Sequence, residues 1–529
     1  MKQCSLALVI FACFSILDAS FNGGETRFKQ QDPIERSDFP SGFMFGVATS
    51  AYQVEGAYLE DGKSFSNWDY FCHTQGCSES GEENGDIADD HYHKFMEDIE
   101  MMHSLGVKAY RFSISWTRIL PKGRFGLANP LGIMFYNKII DNLILKGIEP
   151  FVTIHHMDLP QELEDKYGAW LDPQMQDDFV HFAEICFKSF GDRVKYWITI
   201  NEPNLVAEMA YEKGTYPPAR CSQPFGNCLG GDSDVEPLLA MHNMLLAHGK
   251  TAKLYHEKFQ PEQGGSIGLV AHCFMYEPLT DSDSDRKAAE RAMIFNIGWS
   301  FDPPIFGDYP KEMREYHGSE LPIFSPEEQN LMKNSIDFIG INHYSAIYAK
   351  DCTYSNCIES ANRVIKGFVE ITGERDGVLI GDPTSMPRFF VVPRGMGEIV
   401  NYFKNRYNNR PMYITENGYS SPNVENVQFE EIVNDAKRIE FHKSYLASLA
   451  ETIRGGADVR GYFLWSLLDN YEWAYGYNVR FGLHYVDRNT FERIPKLSAK
   501  WYQNFLKNDS LVDIQAIRTV HNQAGFYDV

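Results

Sequence analysis

The sequence predicts one α/β domain, a single (β/α)8 TIM barrel with elaborated βα loops. Eight β-rich segments alternate with amphipathic helical patterns, which is the order that a closed parallel barrel requires. No Pro-rich or Gly/Ser-rich linker and no internal repeat divides the 529 residues. Hydrophobic residues make up 43% of the chain, which supplies one large core. The predicted strands are residues 43–48, 109–113, 150–155, 196–200, 266–271, 337–341, 412–415 and 462–465.

The segment before the first strand reads as a targeting signal. Residues 1–23 contain Lys2, then an apolar stretch over 6–17, then small residues, which is typical of a secretory signal peptide and too short for a membrane span. We therefore expect residues 24–529 to form the barrel domain of a secreted protein.

The helical patterns between the strands have the period of amphipathic helices. The clearest lie at 93–106, 134–147, 177–191 and 438–456, and each ends in or near glycine, as helices commonly do. In barrels of this kind, chemistry takes place at the C-terminal ends of the strands. Residues that follow a predicted strand are therefore the first candidates for function.

Two glutamates occupy such positions. Glu202 in TINEPN follows the fourth predicted strand, and Glu416 in YITENGY follows the seventh. A glycosidic oxygen leaves only when protonated, and the developing oxocarbenium carbon needs a carboxylate on its other face. Burial raises the pKa of one carboxyl and a nearby cation lowers that of the other, so a pair can divide these tasks. The two segments together indicate cleavage of a sugar–oxygen bond.

Charge and composition restrict the partners. The formal net charge of −23 disfavours nucleic acid and anionic membrane surfaces, so a small neutral substrate fits better. The aromatic fraction of 14% suits stacking against sugar rings, although most of these side chains will fill the core.

Cysteine spacing agrees with secretion. Three close pairs lie in loop-like sequence, and we expect a local disulfide in each: Cys72/Cys77, Cys221/Cys228 and Cys352/Cys357. Cys186 and Cys273 lie in apolar segments and are expected to be buried thiols. One glycosylation sequon begins at Asn508.

From FPSGFMFGVATSAYQVEGA, which starts at Phe39, to RIPKLSAKWY, which ends at Tyr502, the chain resembles a plant glycoside hydrolase family 1 β-glucosidase. The resemblance implies a retaining mechanism in which Glu416 is the nucleophile and Glu202 the acid/base, with carboxyls roughly 5–5.5 Å apart. It also implies a location in the apoplast or cell wall, with the vacuole as the alternative, and it leaves the oligomeric state open.

The same resemblance assigns further residues by motif. Arg111 is expected beneath the nucleophile and Tyr344 on its carboxylate. A carboxylate at Glu472, aimed at the 4- and 6-hydroxyls, would repel a 6-phosphate, and an intact Glu202 indicates an O-glucosidase rather than a thioglucosidase. The expected sugar-binding residues are Gln53, His156, Asn201, Tyr344, Trp465, Glu472, Trp473 and Phe481.

Departures from the family pattern lie on the leaving-group side. Met157 stands where many members of the family have a tryptophan. Arg388 in MPRFFVVPRG stands at a second position where many members have a tryptophan. The run from residue 217 to 248 and the Cys352/Cys357 loop resemble the subgroup that hydrolyses monolignol glucosides, for which coniferin and syringin are typical substrates.

Several other functions fit parts of the sequence. They are a transglucosidase using the same covalent intermediate, a β-glucosidase for another aglycone or for oligosaccharides, and a non-catalytic binding protein. A metal centre at Asp90, His91 and His93 in DDHYHKF is a further alternative, but these residues also match an ordinary helix start. We expect no metal and no cofactor.

Overall fold

The structure is a computed structural model that describes residues 34–76, 83–422 and 428–507. The predicted signal peptide, Cys77 and Asn508 lie outside the described residues. The Cys72/Cys77 disulfide and the glycosylation site therefore stay predictions.

The core is a closed barrel of eight parallel strands, and each strand is hydrogen-bonded to the next along the chain until the eighth pairs with the first. The eight predicted strands are thereby confirmed, although the last begins at Val459 rather than at residue 462. The strands are β1 Met44–Ala48, β2 Ala109–Ser113, β3 Glu149–His155, β4 Tyr196–Asn201, β5 Ser266–His272, β6 Phe338–Asn342, β7 Met412–Asn417 and β8 Val459–Trp465.

Helices follow the strands and pack outside them. In the described part of the chain, the helices of ten residues or more are α1 His91–Leu105, α2 Pro130–Leu145, α3 Gln174–Phe190, α4 Glu236–Leu254, α5 Asp283–Met293, α6 Arg394–Arg406, α7 Ala436–Arg454 and α8 Leu497–Leu506. Their boundaries carry ordinary signals: Asn129 caps α2 by accepting a hydrogen bond from Leu131, and Gly106 ends α1 with a φ of 84°. The four clearest helical patterns in the sequence correspond to α1, α2, α3 and α7.

Large rings fill the barrel interior below its mouth. Phe151, Phe338, Tyr413 and Phe463 come from β3, β6, β7 and β8, and the Phe151 and Phe463 ring centroids lie 4.9 Å apart. Because the barrel is packed solid at this level, a ligand has access only to the C-terminal strand ends above it.

The loops at that end are elaborated, as predicted. Three strands, Met275–Pro278, Ala346–Asp351 and Val369–Thr372, form a small sheet beyond β5 and β6. Two of the predicted disulfides are present, Cys221–Cys228 and Cys352–Cys357, with S–S distances of 2.08 and 2.12 Å. Cys186 and Cys273 are buried free thiols. Within the described ranges, every helix is too short or too polar to cross a membrane.

Candidate active site

Glu416 lies near the C-terminal end of β7 and is held by two donors, one on β2 and one in the loop after β6. The Arg111 guanidinium, on β2, makes an ion pair with Glu416 Oε1, and the Tyr344 hydroxyl donates to Oε2 over 2.6 Å. All three side chains are buried. The structure thus places Arg111 and Tyr344 in contact with this carboxylate, and their roles stay predictions.

Glu202 follows β4 directly and has left-handed backbone angles, with φ 49° and ψ 55°. Such angles are uncommon for a residue with a side chain and are often found at functional sites. Its Oε1 accepts a hydrogen bond from Asn342 Nδ2 at 2.8 Å, and His272 Nδ1 lies 3.4 Å from the same oxygen. Glu202 makes no contact with an arginine or lysine in the described structure.

A short chain of hydrogen bonds joins the two carboxyl groups. Arg111 Nη2 donates to Asn201 Oδ1 at 2.6 Å, and Asn342 Nδ2 lies 3.1 Å from the same oxygen. Thr415 in turn donates to Asn342 Oδ1 at 2.7 Å. Asn342 was not singled out from sequence, although it lies in the same GINHYSA motif as Tyr344 and closes β6, the position at which functional residues are expected.

Opposing influences act on the Glu416 carboxyl. Burial, the largest, raises its pKa; the Arg111 cation lowers it, and a negative charge on Glu202 raises it again. The last influence vanishes when Glu202 is protonated. Glu416 alone of the pair contacts a cation and a phenol, and both contacts lower its pKa against the larger effect of burial.

Next to the pair lies a group of polar and aromatic side chains from several loops. Gln53 Nε2 donates to the Tyr471 carbonyl at 2.9 Å and lies 3.4 Å from Glu472 Oε2. Asn201 Nδ2 donates to His156 Nε2 at 3.2 Å. The His156 ring is stacked between two indoles, with centroids 6.0 Å from both Trp465 and Trp473. The structure thus brings these predicted sugar-binding residues together.

Two buried groups here have pKa values that are shifted from their ordinary range. The pKa of Glu472 is raised to about 8, mainly by burial and next by the charge of Glu416, while hydrogen bonds from Trp465 and Gln53 act in the opposite direction. Burial, with the Arg111 cation next, holds the pKa of His156 well below its ordinary value, so this imidazole is neutral near pH 7. A cluster of perturbed groups at a strand-end site is typical of a functional centre.

Phe481 and Phe389 both pack against Tyr344, which contacts Glu416. Phe481 packs edge-on against Tyr344 with centroids 5.8 Å apart, while Phe389 stacks on Tyr344 at 5.1 Å. Phe389 also stacks on His272 at 6.0 Å. Sequence reasoning selected Phe481 but missed Phe389 and His272, which carry no short motif of their own.

A cavity of about 440 Å³ extends outward from this point. His272 and Phe389 line the cavity together with charged, aliphatic and further aromatic residues, the aromatic ones being Tyr216, Phe225, Phe274, Tyr276, Phe295, Trp299 and Tyr475. Arg388, predicted to replace a tryptophan, lies on this wall, and the neighbouring Phe389 supplies an aromatic face instead.

The alternative metal site in DDHYHKF does not form a cluster within the described residues. His91 Nδ1 pairs with Asp98 at 2.7 Å, whereas His93 pairs with Asp90 at 2.5 Å and with Glu60 at 3.1 Å. These side chains serve the start of α1 and the packing around it.

Comparisons with known proteins agree with this geometry. The family described as Glycosyl hydrolase family 1 matches residues 35–511. A coniferin β-glucosidase from Pinus contorta is 50% identical over 491 residues, which cover 92% of this chain and 95% of that protein. A solved structure of the rice Os3BGlu6 β-glucosidase, a mutant in a covalent complex with glucose, aligns with a TM-score of 0.86 at 45% identity, covering 89% of this chain and 99% of that one.

Another relative is named a probable inactive β-glucosidase 14, from Oryza sativa subsp. japonica. It is 53% identical over 480 residues, which cover 90% of this chain and 92% of that protein. High identity alone therefore does not decide activity, and the carboxyl pair in the present chain is the more direct observation. On the family match over nearly the whole described domain, and on a barrel whose mouth carries both glutamates, this chain belongs to glycosyl hydrolase family 1.

Proposed function

We propose that this glycoside hydrolase is a retaining β-glucosidase acting on O-β-D-glucosides of phenylpropanoids, with coniferin and syringin as representative substrates. The proposed mechanism rests on one observation. Glu416 contacts both a guanidinium and a phenol, whereas Glu202 contacts amide and imidazole groups. Two chemically identical carboxyls therefore have environments suited to different roles.

In the first step, a Glu416 oxygen attacks the anomeric carbon. The bond between that carbon and the glycosidic oxygen breaks, its electron pair moves to the leaving oxygen, and that oxygen takes the proton from Glu202. A covalent glucosyl ester on Glu416 remains, and the Glu202 carboxylate is now ionised.

In the second step, Glu202 takes a proton from a water molecule as the water oxygen attacks the anomeric carbon. The ester bond breaks, Glu416 leaves as the carboxylate paired with Arg111, and β-glucose is released. The site returns to its starting protonation state because the proton taken by Glu202 replaces the one it gave up.

The sugar pocket supports glucose without a phosphate. Glu472 and Gln53 supply hydrogen-bonding groups beside Trp465 and Trp473, where a pyranose ring can stack on an indole. A phosphate at the 6-position would place negative charge near Glu416, and Glu472, with a pKa raised to about 8, would add like-charge repulsion only where it is ionised.

The aglycone part of the proposal rests on two observations. The cavity beside Phe389 and His272 has several aromatic side chains in its lining, which suits a flat phenyl group. The coniferin β-glucosidase of Pinus contorta is also similar over nearly the whole domain.

Initial rates on coniferin, syringin, a flavonol glucoside, cellobiose and 4-nitrophenyl β-glucoside test the substrate class. We expect the highest kcat/KM for coniferin or syringin, and no activity above background for Glu416→Gln. Activity on the nitrophenyl glucoside without activity on either monolignol glucoside would refute the aglycone assignment and leave the β-glucosidase. If a correctly folded protein were inactive on all five substrates, both the aglycone assignment and the β-glucosidase assignment would be refuted.

A transglucosidase is the second candidate, because the glucosyl ester can react with an alcohol in place of water. Product analysis of the coniferin reaction with an added alcohol acceptor separates the two functions. We expect free glucose as the main product; a glucosylated acceptor in excess over glucose at millimolar acceptor would assign transfer instead.

A further inference from the structure

An ionic cluster lies on the cavity wall away from the catalytic pair. It consists of Glu208, Glu212, Lys213, Lys366 and Arg388, all of which line the cavity. Lys213 forms a close ion pair with Glu208, and Lys366 lies 2.6 Å from Glu212 and 3.6 Å from Glu208. Arg388 Nη1 is 3.6 Å from Glu208, which is too long for a hydrogen bond.

The charges in this cluster do not cancel. Burial alone would raise the pKa of Glu208, but Lys213, Lys366 and Arg388 outweigh it and hold that pKa well below its usual range. Two carboxyl groups face three basic side chains, and burial raises the pKa of Glu212 and lowers that of Lys213. Lys213 and Lys366 already make the short contacts. The remaining wall carboxylate, Glu370, pairs outside the cluster with Lys350 at 3.8 Å.

Arg388 is the cation with unused donors. Within the described structure its guanidinium donates no hydrogen bond within 3.5 Å, its side chain is 40% exposed, and it lines the cavity. A guanidinium presents up to five N–H groups in a planar fork that matches a carboxylate in two-point contact. The cluster thus combines an excess positive charge with free, correctly shaped donors.

The backbone at Arg388 adds an independent observation. Its φ is 67°, in the left-handed region that glycine and asparagine occupy more readily than a long side chain. Such angles are uncommon for a residue with a long side chain and are often found at functional sites, and Arg388 lines the cavity.

The position of Arg388 relative to the carboxyl pair also suits a contact with the aglycone. Phe389, the next residue, stacks on Tyr344 and His272, which contact Glu416 and Glu202 respectively. An aromatic aglycone whose glycosidic oxygen meets Glu202 will pass along Phe389, and its far end will point into the part of the cavity that Arg388 lines.

We infer that Arg388 binds a carboxylate at the far end of the aglycone, so that the enzyme takes aryl β-glucosides of phenolic acids in addition to neutral phenylpropanoid glucosides. This inference rests on the proposed function, because it assigns the aglycone side of the same site. It makes Arg388 a specificity-determining residue that contacts the substrate far from the bond that breaks.

Coniferin and ferulic acid 4-O-β-glucoside form a matched pair for the test. They share the sugar, the methoxylated ring and the three-carbon side chain, and differ only in a terminal CH2OH or COO⁻ group. The quantity to measure is the ratio of kcat/KM for the acid glucoside to kcat/KM for coniferin, at a pH where the acid is ionised, in the wild type and in Arg388→Gln, Arg388→Asn and Arg388→Lys.

We expect Arg388→Gln and Arg388→Asn to lower that ratio about tenfold, with coniferin hydrolysis changed by less than about twofold, and Arg388→Lys to retain most of the ratio. Asparagine suits the left-handed backbone, so Arg388→Asn keeps the test valid if the glutamine variant folds poorly. Arg460→Gln, which removes an exposed cation paired with Asp458 at the start of β8, is the charge control and should leave the ratio unchanged.

The outcomes separate the two proposals. The role of Arg388 is overturned if the ratio is unchanged in both Arg388→Gln and Arg388→Asn, or if kcat/KM falls equally for both substrates. Wild-type hydrolysis of the acid glucoside but not of coniferin supports Arg388 while refuting the monolignol assignment. A wild type that cleaves 4-nitrophenyl β-glucoside but neither phenylpropanoid glucoside overturns both.

Discussion

Three side chains, one from β2 and two from the end of β6 and the residues just after it, distinguish two chemically identical carboxyl groups. Arg111 and Tyr344 surround Glu416, while Asn342 bridges to Glu202 without bringing a charge. The difference in environment is therefore built from single hydrogen bonds, each of which one substitution can remove. Predictions at this scale concern the protonation of one group.

Tyr344→Phe removes the hydroxyl that donates to Glu416 Oε2. That hydrogen bond favours the ionised form, so its loss raises the pKa of Glu416. If Glu416 is the nucleophile, as proposed, it must be ionised to react, so we expect the acidic limb of the kcat/KM profile to move to higher pH, with a loss of about tenfold at acidic pH and a smaller loss above neutrality.

The matched control is Tyr354→Phe, since Tyr354 is 88% exposed in the Cys352–Cys357 loop. This variant should reproduce the wild-type profile. An acidic limb in Tyr344→Phe that stays in place, or that moves to lower pH, would contradict the assignment of Tyr344 to the Glu416 carboxylate.

The acid/base assignment has its own test in Glu202→Gln. With an activated leaving group such as 2,4-dinitrophenolate, which leaves without protonation, the first step survives and the second slows because no base activates water. We expect intact-protein mass spectrometry to show one glucosyl residue added to the variant, and peptide analysis to place it on Glu416.

No adduct in Glu202→Gln, together with unchanged turnover of coniferin, would refute the role of Glu202. An adduct on another carboxylate would refute the role of Glu416. The wild type, treated in the same way, should show little adduct because water releases the sugar quickly.

At the scale of elements, the strand ends determine what meets at the barrel mouth. The order of the eight strands was predictable because each has a β-rich pattern of its own. The Asn342 bridge was not, because it depends on the parallel register that sets Glu416 beside Asn342 and Asn342 beside His272. The ionic cluster was equally unpredictable, since it joins the helical segment after Glu202 to loops more than a hundred residues later.

Gly418 shows how closely β7 and β8 approach at their ends. A Cβ atom at this position would lie 2.0 Å from the Trp465 carbonyl oxygen and 3.2 Å from the Phe481 ring. Gly418→Ala must therefore move the candidate sugar-binding residues Trp465 and Phe481. We expect a loss of about 1–3 kcal/mol in the free energy of unfolding and at least about a tenfold loss of kcat/KM.

Gly42→Ala is the control, because a Cβ there has no neighbour within 4 Å. Thermal unfolding and kinetics of both variants check the prediction. Wild-type kinetics in Gly418→Ala would show that the positions of Trp465 and Phe481 tolerate displacement and would argue against their part in sugar binding.

At the scale of the whole molecule, the net charge of −23 acts against the local cations around Arg388. The long-range field repels an anionic substrate, and salt screens it over a Debye length of about 10 Å at 0.1 M and about 3 Å at 1 M. Salt also weakens the short-range attraction between the substrate carboxylate and Arg388, and this effect lowers kcat/KM. A neutral substrate such as coniferin responds to neither.

Salt dependence should therefore distinguish the wild type from Arg388→Gln with ferulic acid 4-O-β-glucoside. In the variant only the repulsion remains, so kcat/KM should rise about two- to threefold as ionic strength rises from low salt to 0.5 M. In the wild type the loss of attraction offsets that gain, so the curve should be flat or should fall. Coniferin should give flat curves in both proteins and thereby exclude a general effect of salt on the fold. Parallel curves for the acid glucoside in the two proteins would mean that its carboxylate does not meet Arg388, because removal of a contacted cation must change the sign or the slope of the response.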